Sequence, residues 1–175
     1  MPPSSRAGFT LVELAVALAV LAILAAIALP GLNGVVDRLR VTTVVHLLSA
    51  QFAQARSTAI MRQEVVSVCP SRGDGRCRDD GDWSEGWLLY RDPTRARQPA
   101  EAGHVLREER RSRPPHFQLK SSDGRPQLRY LPDGRSAGSN LRVRACLRGR
   151  LHGEVVVNNL GRVRSTRAAG SQPCE

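Results

Sequence analysis

From Phe9 to Leu29 the chain runs for 21 residues with a single charge, Glu13. At about 1.5 Å of rise per residue, such a run can cross the roughly 30 Å hydrocarbon layer of a bilayer as one helix. A carboxylate inside a membrane helix costs about 2.5 to 3.5 kcal/mol on insertion scales. Glu13 is therefore expected to have a partner rather than to face lipid. Any fold for this chain has to carry the span and supply a cation to Glu13.

The segment Gly8-Phe9-Thr10-Leu11-Val12-Glu13, behind a short leader containing Arg6, resembles the prepilin signal of the type IV pilins and pseudopilins. In that family a glycine precedes the cleavage point, a phenylalanine follows it, and a glutamate stands just downstream. The resemblance implies that a prepilin peptidase cuts between Gly8 and Phe9 and that the new Phe9 amine is N-methylated. It also implies a partner for Glu13, the Phe9 ammonium of a neighbouring subunit in the assembled filament. Two other readings compete. A secretory signal would use Arg6 as its basic end and Ala26-Ile27-Ala28 as its cleavage site, but its apolar core normally spans about 7 to 15 residues and would not contain Glu13. A plain membrane anchor would place Glu13 at the helix start near the headgroups, where the helix dipole favours an acid.

The expected organisation is α+β and pilin-like. Residues 1–8 form a leader, 9–30 a transmembrane and filament-core helix, 31–62 an amphipathic continuation, and 63–175 a β domain. Pro30-Gly31 is expected to kink or melt the helix where it leaves the membrane. Beyond it Val35, Leu39, Val41, Val44, Val45, Leu48, Phe52, Ala55, Ala59 and Ile60 recur every three or four positions, a stripe that should bury against the following domain. Asp37, Arg38, Gln51, Gln54 and Arg62 should face water, and His46 reads as a partly buried helix residue without a second ligand at helical spacing.

Past Gln63 the pattern changes to short apolar runs separated by Gly, Pro and Asp. Strands are expected at 65–69, 86–90, 104–107, 116–120, 127–131, 141–151, 155–157 and 162–167, with turns at Asp79-Asp80-Gly81-Asp82, Asp92-Pro93, Asp123-Gly124 and Asp133-Gly134. This predicts an antiparallel sheet or small sandwich packed on the helix.

Four cysteines, Cys69, Cys77, Cys146 and Cys174, are an even number in a domain that the span would hold outside the cytoplasm, which points to disulfides. Three pairings are open. The turn-rich Pro70-Ser71-Arg72-Gly73-Asp74-Gly75-Arg76 suits a local bridge from Cys69 to Cys77, which would leave Cys146 to hold the C-terminal tail at Cys174. No C-x-x-C occurs, so the spacing does not suit zinc. Cys69 to Cys77, with Trp83, Gly86-Trp87 and Tyr90-Arg91-Asp92, resembles the GspH and FimT-like minor pseudopilins. Both tryptophans are expected in the core. The acidic stretch from Asp74 to Glu85 lacks an EF-hand spacing and reads as a solvated loop rather than a calcium site.

The net charge is +10, and loss of Arg6 with the leader leaves +9. Of 26 basic side chains all but Lys120 are arginine. Arginine gives bidentate phosphate and carboxylate contacts, although a GC-rich genome would produce the same bias. Arg142, Arg144, Arg148 and Arg150 alternate with Val143, Ala145, Leu147 and Gly149, so a single strand would place all four on its outer face. Between Arg142 and Arg167 there are seven arginines and one acid, Glu154. A solvated face normally mixes both signs, so an anion-binding surface is expected. Gly161-Arg162-Val163-Arg164 resembles the C-terminal G-R-x-R motif of FimT-like minor pilins that bind DNA during natural transformation. The resemblance implies that Gly161 supplies a turn and that Arg162, Arg164 and neighbours such as Arg167 contact phosphates of DNA without sequence preference. It also implies other pilin subunits and the inner membrane as partners, a periplasmic domain before assembly, and a place in the pilus at the cell surface afterwards. A GspH-like subunit of a type II secretion pseudopilus and a ligand-free priming subunit are the alternatives. His46, His104, His116 and His152 accompany no recognisable nucleophile motif, so neither an enzyme nor a cofactor is expected.

Overall fold

The computed structural model describes residues 10–168 and 172–174, and only the backbone at 29–33. It divides into two compact units, Met1–Arg38 and Leu39–Glu175. One helix, α1 (Leu11–Arg62), begins in the first and ends in the second. Thr10 stands before it, and its hydroxyl accepts a hydrogen bond from the Glu13 N–H at 3.2 Å. This is an N-cap with an acid in the first turn, which satisfies one of the donors a helix start leaves over. Leu11–Ala28 is long and apolar enough to cross a membrane, and none of it is buried. Gly8 and Phe9 lie outside the described residues. The backbone stays helical through positions 30 and 31, so the expected interruption is not a break. A proline removes one helical hydrogen bond without having to end the helix.

In the second unit the stripe of α1 is Val41, Val44, Val45, Leu48, Phe52, Ala55 and Ala59, each at most 5% exposed. It is shorter than the sequence pattern suggests: Leu39 is 62% and Ile60 42% exposed, and in the first unit Val35 is 53% exposed. Gln51 departs from expectation in the other direction. It falls beside Leu48 and Phe52 on the buried face, and its amide donates to Gln54 Oε1 at 3.2 Å, which keeps a polar head satisfied there. His46, expected to be partly buried, is exposed.

Eight strands follow: β1 (Val66–Pro70), β2 (Gly86–Arg91), β3 (Val105–Arg110), β4 (Phe117–Ser121), β5 (Leu128–Tyr130), β6 (Leu141–Leu147), β7 (Arg150–Val157) and β8 (Val163–Arg167). They form two antiparallel four-stranded sheets, ordered β3-β2-β1-β5 and β4-β6-β7-β8. The α1 stripe, Val66, Val68, Leu89 and Leu128 of the first sheet, and Leu119, Leu141, Val143, Val155 and Val157 of the second share one core. Trp83 and Trp87 lie within it, Trp83 edge-on to Phe52 at 5.6 Å. The other face of the first sheet is covered too, with Cys69, Leu88 and Tyr90 against Cys77 and Val105, so every residue of β1 is buried instead of every second one. The second sheet covers one face only, and β4 alternates buried and exposed.

The expected strand from Leu141 to Leu151 is two strands. Arg148 and Gly149 adopt left-handed conformations, φ 51° and 73°, and turn the chain so that Leu147 pairs with Arg150. The short expected strand at 155–157 is the end of the longer β7. Cys69 is bonded to Cys77 and Cys146 to Cys174, with Cα atoms 5.4 and 6.0 Å apart.

Candidate nucleic-acid interface

The register of the second sheet decides which basic residues share a surface. Arg142 and Arg164 stand opposite Val156 from either side, and Lys120, Arg144, Glu154 and Thr166 form the next row. Side chains of both rows point away from the core, since their neighbours Leu141, Val143, Val155 and Val157 are its buried members. Arg142 and Arg164 are two strand spacings apart, roughly 10 Å. Glu154 sits among them, its Oε2 3.4 Å from Arg142 Nη1 and its Oε1 accepting from Thr166 Oγ1 at 3.4 Å. The two rows thus hold Lys120, Arg142, Arg144 and Arg164 against Glu154, with Lys120 at their edge also lining a cavity that carries Asp79, Asp80 and Asp123.

Arg162 stands at the corner before β8, in the loop joining it to β7. The loop closes on Asn158, whose N–H donates to the Arg162 carbonyl at 3.2 Å and whose Oδ1 accepts from Arg162 N–H at 2.8 Å. Gly161 is buried at φ 79° against another turn, and a Cβ there would lie 2.0 Å from the Gly134 carbonyl oxygen. Arg56 of α1 ties both turns down, donating from Nε to the Gly134 carbonyl at 3.0 Å and from Nη2 to the Leu160 carbonyl at 3.3 Å. Arg162 and Arg164 are exposed, and among the described residues their side chains make no hydrogen bond or ion pair.

The other expected contacts fall elsewhere. Arg148 lies in the β6–β7 turn and Arg150 opens β7, both at the end of the sheet held by the Cys146–Cys174 bridge, so the four alternating arginines do not form one row. Cys146, placed outward by that alternation, is 6% exposed, because a bulge between Ala145 and Cys146 shifts the register. Arg167 pairs with Gly153 on the opposite face from Arg164 and lines a cavity of about 220 Å³ with Val45, His46 and His152. Lys120 was not among the expected contacts. The alternation in Phe117-Gln118-Leu119-Lys120 signals that it points outward, but only the β4–β6 register sets it beside Arg144.

In the acidic loop Arg78 makes ion pairs with Asp80, with Asp82 at 3.4 Å and with Glu85 at 3.2 Å, and Arg113 reaches Asp82 at 3.4 Å. The hydrogen bond from Arg78 holds the Asp80 carboxyl below the usual carboxylate range. Among the described residues no group of three or more His, Cys, Asp or Glu is placed to hold a metal ion.

The family described as type II transport protein GspH matches residues 45–161, and the prokaryotic N-terminal methylation motif matches residues 3–29. No curated protein matches the chain by sequence. The fold is similar to that of the type IV minor pilin FimU of Pseudomonas aeruginosa, with a TM-score of 0.61 at 17% identity over 79% of this chain and 96% of that one. A second crystal form of FimU gives 0.57 at 16% identity over 77% and 97% of the two chains. The minor pseudopilin EpsH of the Vibrio cholerae type 2 secretion system gives 0.50 at 12% identity, over 72% of this chain and 95% of that one.

Proposed function

The chain belongs to the GspH family of pilin-like subunits, and from that premise we propose that it is a minor pilin of a type IV pilus that holds extracellular DNA on its second sheet for uptake in natural transformation. The observation that carries this reading is the pair Arg162 and Arg164, exposed, with side chains that have no partner among the described residues, and next to the face bearing Lys120, Arg142 and Arg144. The chain anchors in the inner membrane through α1, presents its β domain to the periplasm, and enters the pilus after cleavage and methylation at Phe9. It acts as a structural and binding subunit, not as an enzyme.

Contact is to phosphates. Between Arg142 and Glu175 there is no Phe, Tyr or Trp on which a base could stack, and His152 lines the cavity with Arg167 instead, so the surface reads charge and not sequence. With about three to five phosphates neutralised, log affinity for duplex DNA against log salt slopes at roughly −3 to −4.5, with a Kd of roughly 10⁻⁴ to 10⁻⁶ M at physiological salt. The test is fluorescence anisotropy with labelled duplexes and the full chain in detergent micelles. Arg162→Gln with Arg164→Gln should weaken binding to all sequences alike and flatten the slope by about 2. Binding equal to the parent in the double variant, or no binding by the parent at low salt, would sink this reading. The type II secretion alternative rests on the family's description and the likeness to EpsH. It would then take precedence, and secretion genes beside this one would favour it.

A further inference from the structure

Beside β5, in the first sheet, a cavity of about 290 Å³ is lined by Arg97, Arg125 and Arg129, with Gly124, Gly138 and Ser139, and by no carboxylate. Arg125 is only 9% exposed. Its Nη2 donates to Ser136 Oγ at 2.6 Å and to the Ala137 carbonyl at 2.7 Å, both neutral acceptors. Its Nη1 is buried without a hydrogen-bond partner, and among the described residues no carboxylate pairs with it. A guanidinium does not escape burial by losing its proton, so a buried one normally sits against an anion. Burial pushes the Arg125 pKa down, the direction an anion beside it would reverse.

The other two arginines differ in what they have to spare. Arg129 is committed to Asp92 at 2.9 Å and to the Arg95 carbonyl at 3.1 Å. Arg97 is exposed and makes no hydrogen bond or ion pair among the described residues. It sits at φ 64°, two positions after Arg95 at φ 57°, a left-handed backbone that residues with side chains seldom adopt. Across Arg97 a second cavity carries Asp79, Asp80 and Asp123 beside Lys120, three carboxylates to one lysine, which makes it the less favourable side for an anion.

We propose that this cavity binds one phosphate-type oxyanion, with Arg97 supplying the guanidinium fork, Arg125 a buried charge that no carboxylate offsets among the described residues, and Arg129 a charge partly offset by Asp92. Its volume falls just below the 300–1,000 Å³ of pockets that engulf a whole drug-sized ligand, so it takes a charged group rather than a nucleoside. The oxyanion comes either from a phosphodiester of bound nucleic acid or from free phosphate. The site is built from residues other than Arg162 and Arg164 and stands whether or not these bind DNA.

The test titrates the full chain in detergent micelles with inorganic phosphate at constant ionic strength, followed by calorimetry. The expected result is saturable binding of one phosphate per chain, weakened at least about tenfold by Arg97→Gln and unchanged by Arg162→Gln with Arg164→Gln. Arg97 is the residue to change because Arg125→Gln also removes contacts to Ser136 and Ala137 and so threatens the fold. If Arg97→Gln also lowers duplex affinity and phosphate competes with DNA, the natural occupant is a phosphodiester. If DNA affinity is unchanged while phosphate binding is lost, the occupant is the free anion. Phosphate that fails to saturate, or that binds Arg97→Gln as it binds the parent, overturns the proposal.

Discussion

At the scale of single residues, Gly161 and Arg162 are neighbours with different duties. Gly161 combines a left-handed backbone with a carbonyl where a Cβ would go, 2.0 Å away at Gly134. Relief would require the 134 turn to move, against the two hydrogen bonds that Arg56 makes to these loops. Gly161→Ala should therefore cost about 2 to 4 kcal/mol, counting both backbone strain and the clash, measured by denaturant unfolding of the full chain in detergent. Arg162→Gln, exposed and without a described partner, should stay within about 0.5 kcal/mol of the parent. Loss of DNA binding in the first variant would report a displaced loop, whereas in the second it would report a missing contact. A Gly161→Ala protein as stable as the parent would show that the two turns yield, and that the glycine in the Gly161-Arg162-Val163-Arg164 motif is not structural.

At the scale of elements, the two disulfides should differ in worth. Cys146 and Cys174 close a separation of 28 residues and Cys69 and Cys77 one of 8. In the chain-entropy account these correspond to about 3.6 and 2.5 kcal/mol. Cys146→Ser with Cys174→Ser should thus lower stability more than Cys69→Ser with Cys77→Ser, and it should loosen the end of β7 where Leu151 N–H donates to the Gln172 carbonyl. Equal losses in the two double variants would contradict this ranking. The acidic loop gives a pH dependence. The folded Asp80 carboxyl titrates below its ordinary 3.8, so its share of stability is present above that value and is lost as pH falls through the folded pKa. The unfolding midpoint should drop below about pH 4, and Asp80→Asn should flatten that drop. Elements such as the α1 stripe were legible in the sequence because a 3.6-residue period is a local signal. The β6–β7 turn was not, because Arg148-Gly149 lacks the Asn-Gly or Asp-Gly signature and the arginines on either side continue the strand alternation without a break. The site was legible as a count of arginines but not as a surface, since the register that sets Arg142 level with Arg164, and Lys120 beside Arg144, is a long-range property. Arg125 gave no signal at all, because its isolation from carboxylates depends on which chain segments fold around it.

At the scale of the whole molecule, the question is why a helix long and apolar enough to cross a membrane keeps Glu13. The Thr10 hydroxyl caps the Glu13 N–H at 3.2 Å, and Glu13 stands in the first turn of α1. Both would serve a plain anchor, whose acid sits near the headgroups and is stabilised by the helix dipole by about 0.3 to 1 kcal/mol. That is less than the roughly 2.5 to 3.5 kcal/mol that an acid costs at the centre of a span, so if the first turn enters a filament core the dipole cannot compensate alone. A cation from another subunit can, and the methylated Phe9 amine, next to the cap, is the one the processing motif would create. Glu13→Val should therefore insert into the membrane at least as well as the parent yet assemble poorly. The comparison is the ratio of pilus-fraction to membrane-fraction protein, with mass spectrometry of membrane-extracted protein checking for an N-methylated Phe9 at the mature N-terminus. Glu13→Asp separates charge from mere polarity, because it keeps the carboxylate but shortens its reach, and it should recover part of the assembly that valine abolishes. Equal assembly of Glu13→Val and the parent would remove the intersubunit charge pair and leave Glu13 as a helix-start residue. A mature chain beginning at Leu29 would go further and show that α1 loses its span before any filament forms.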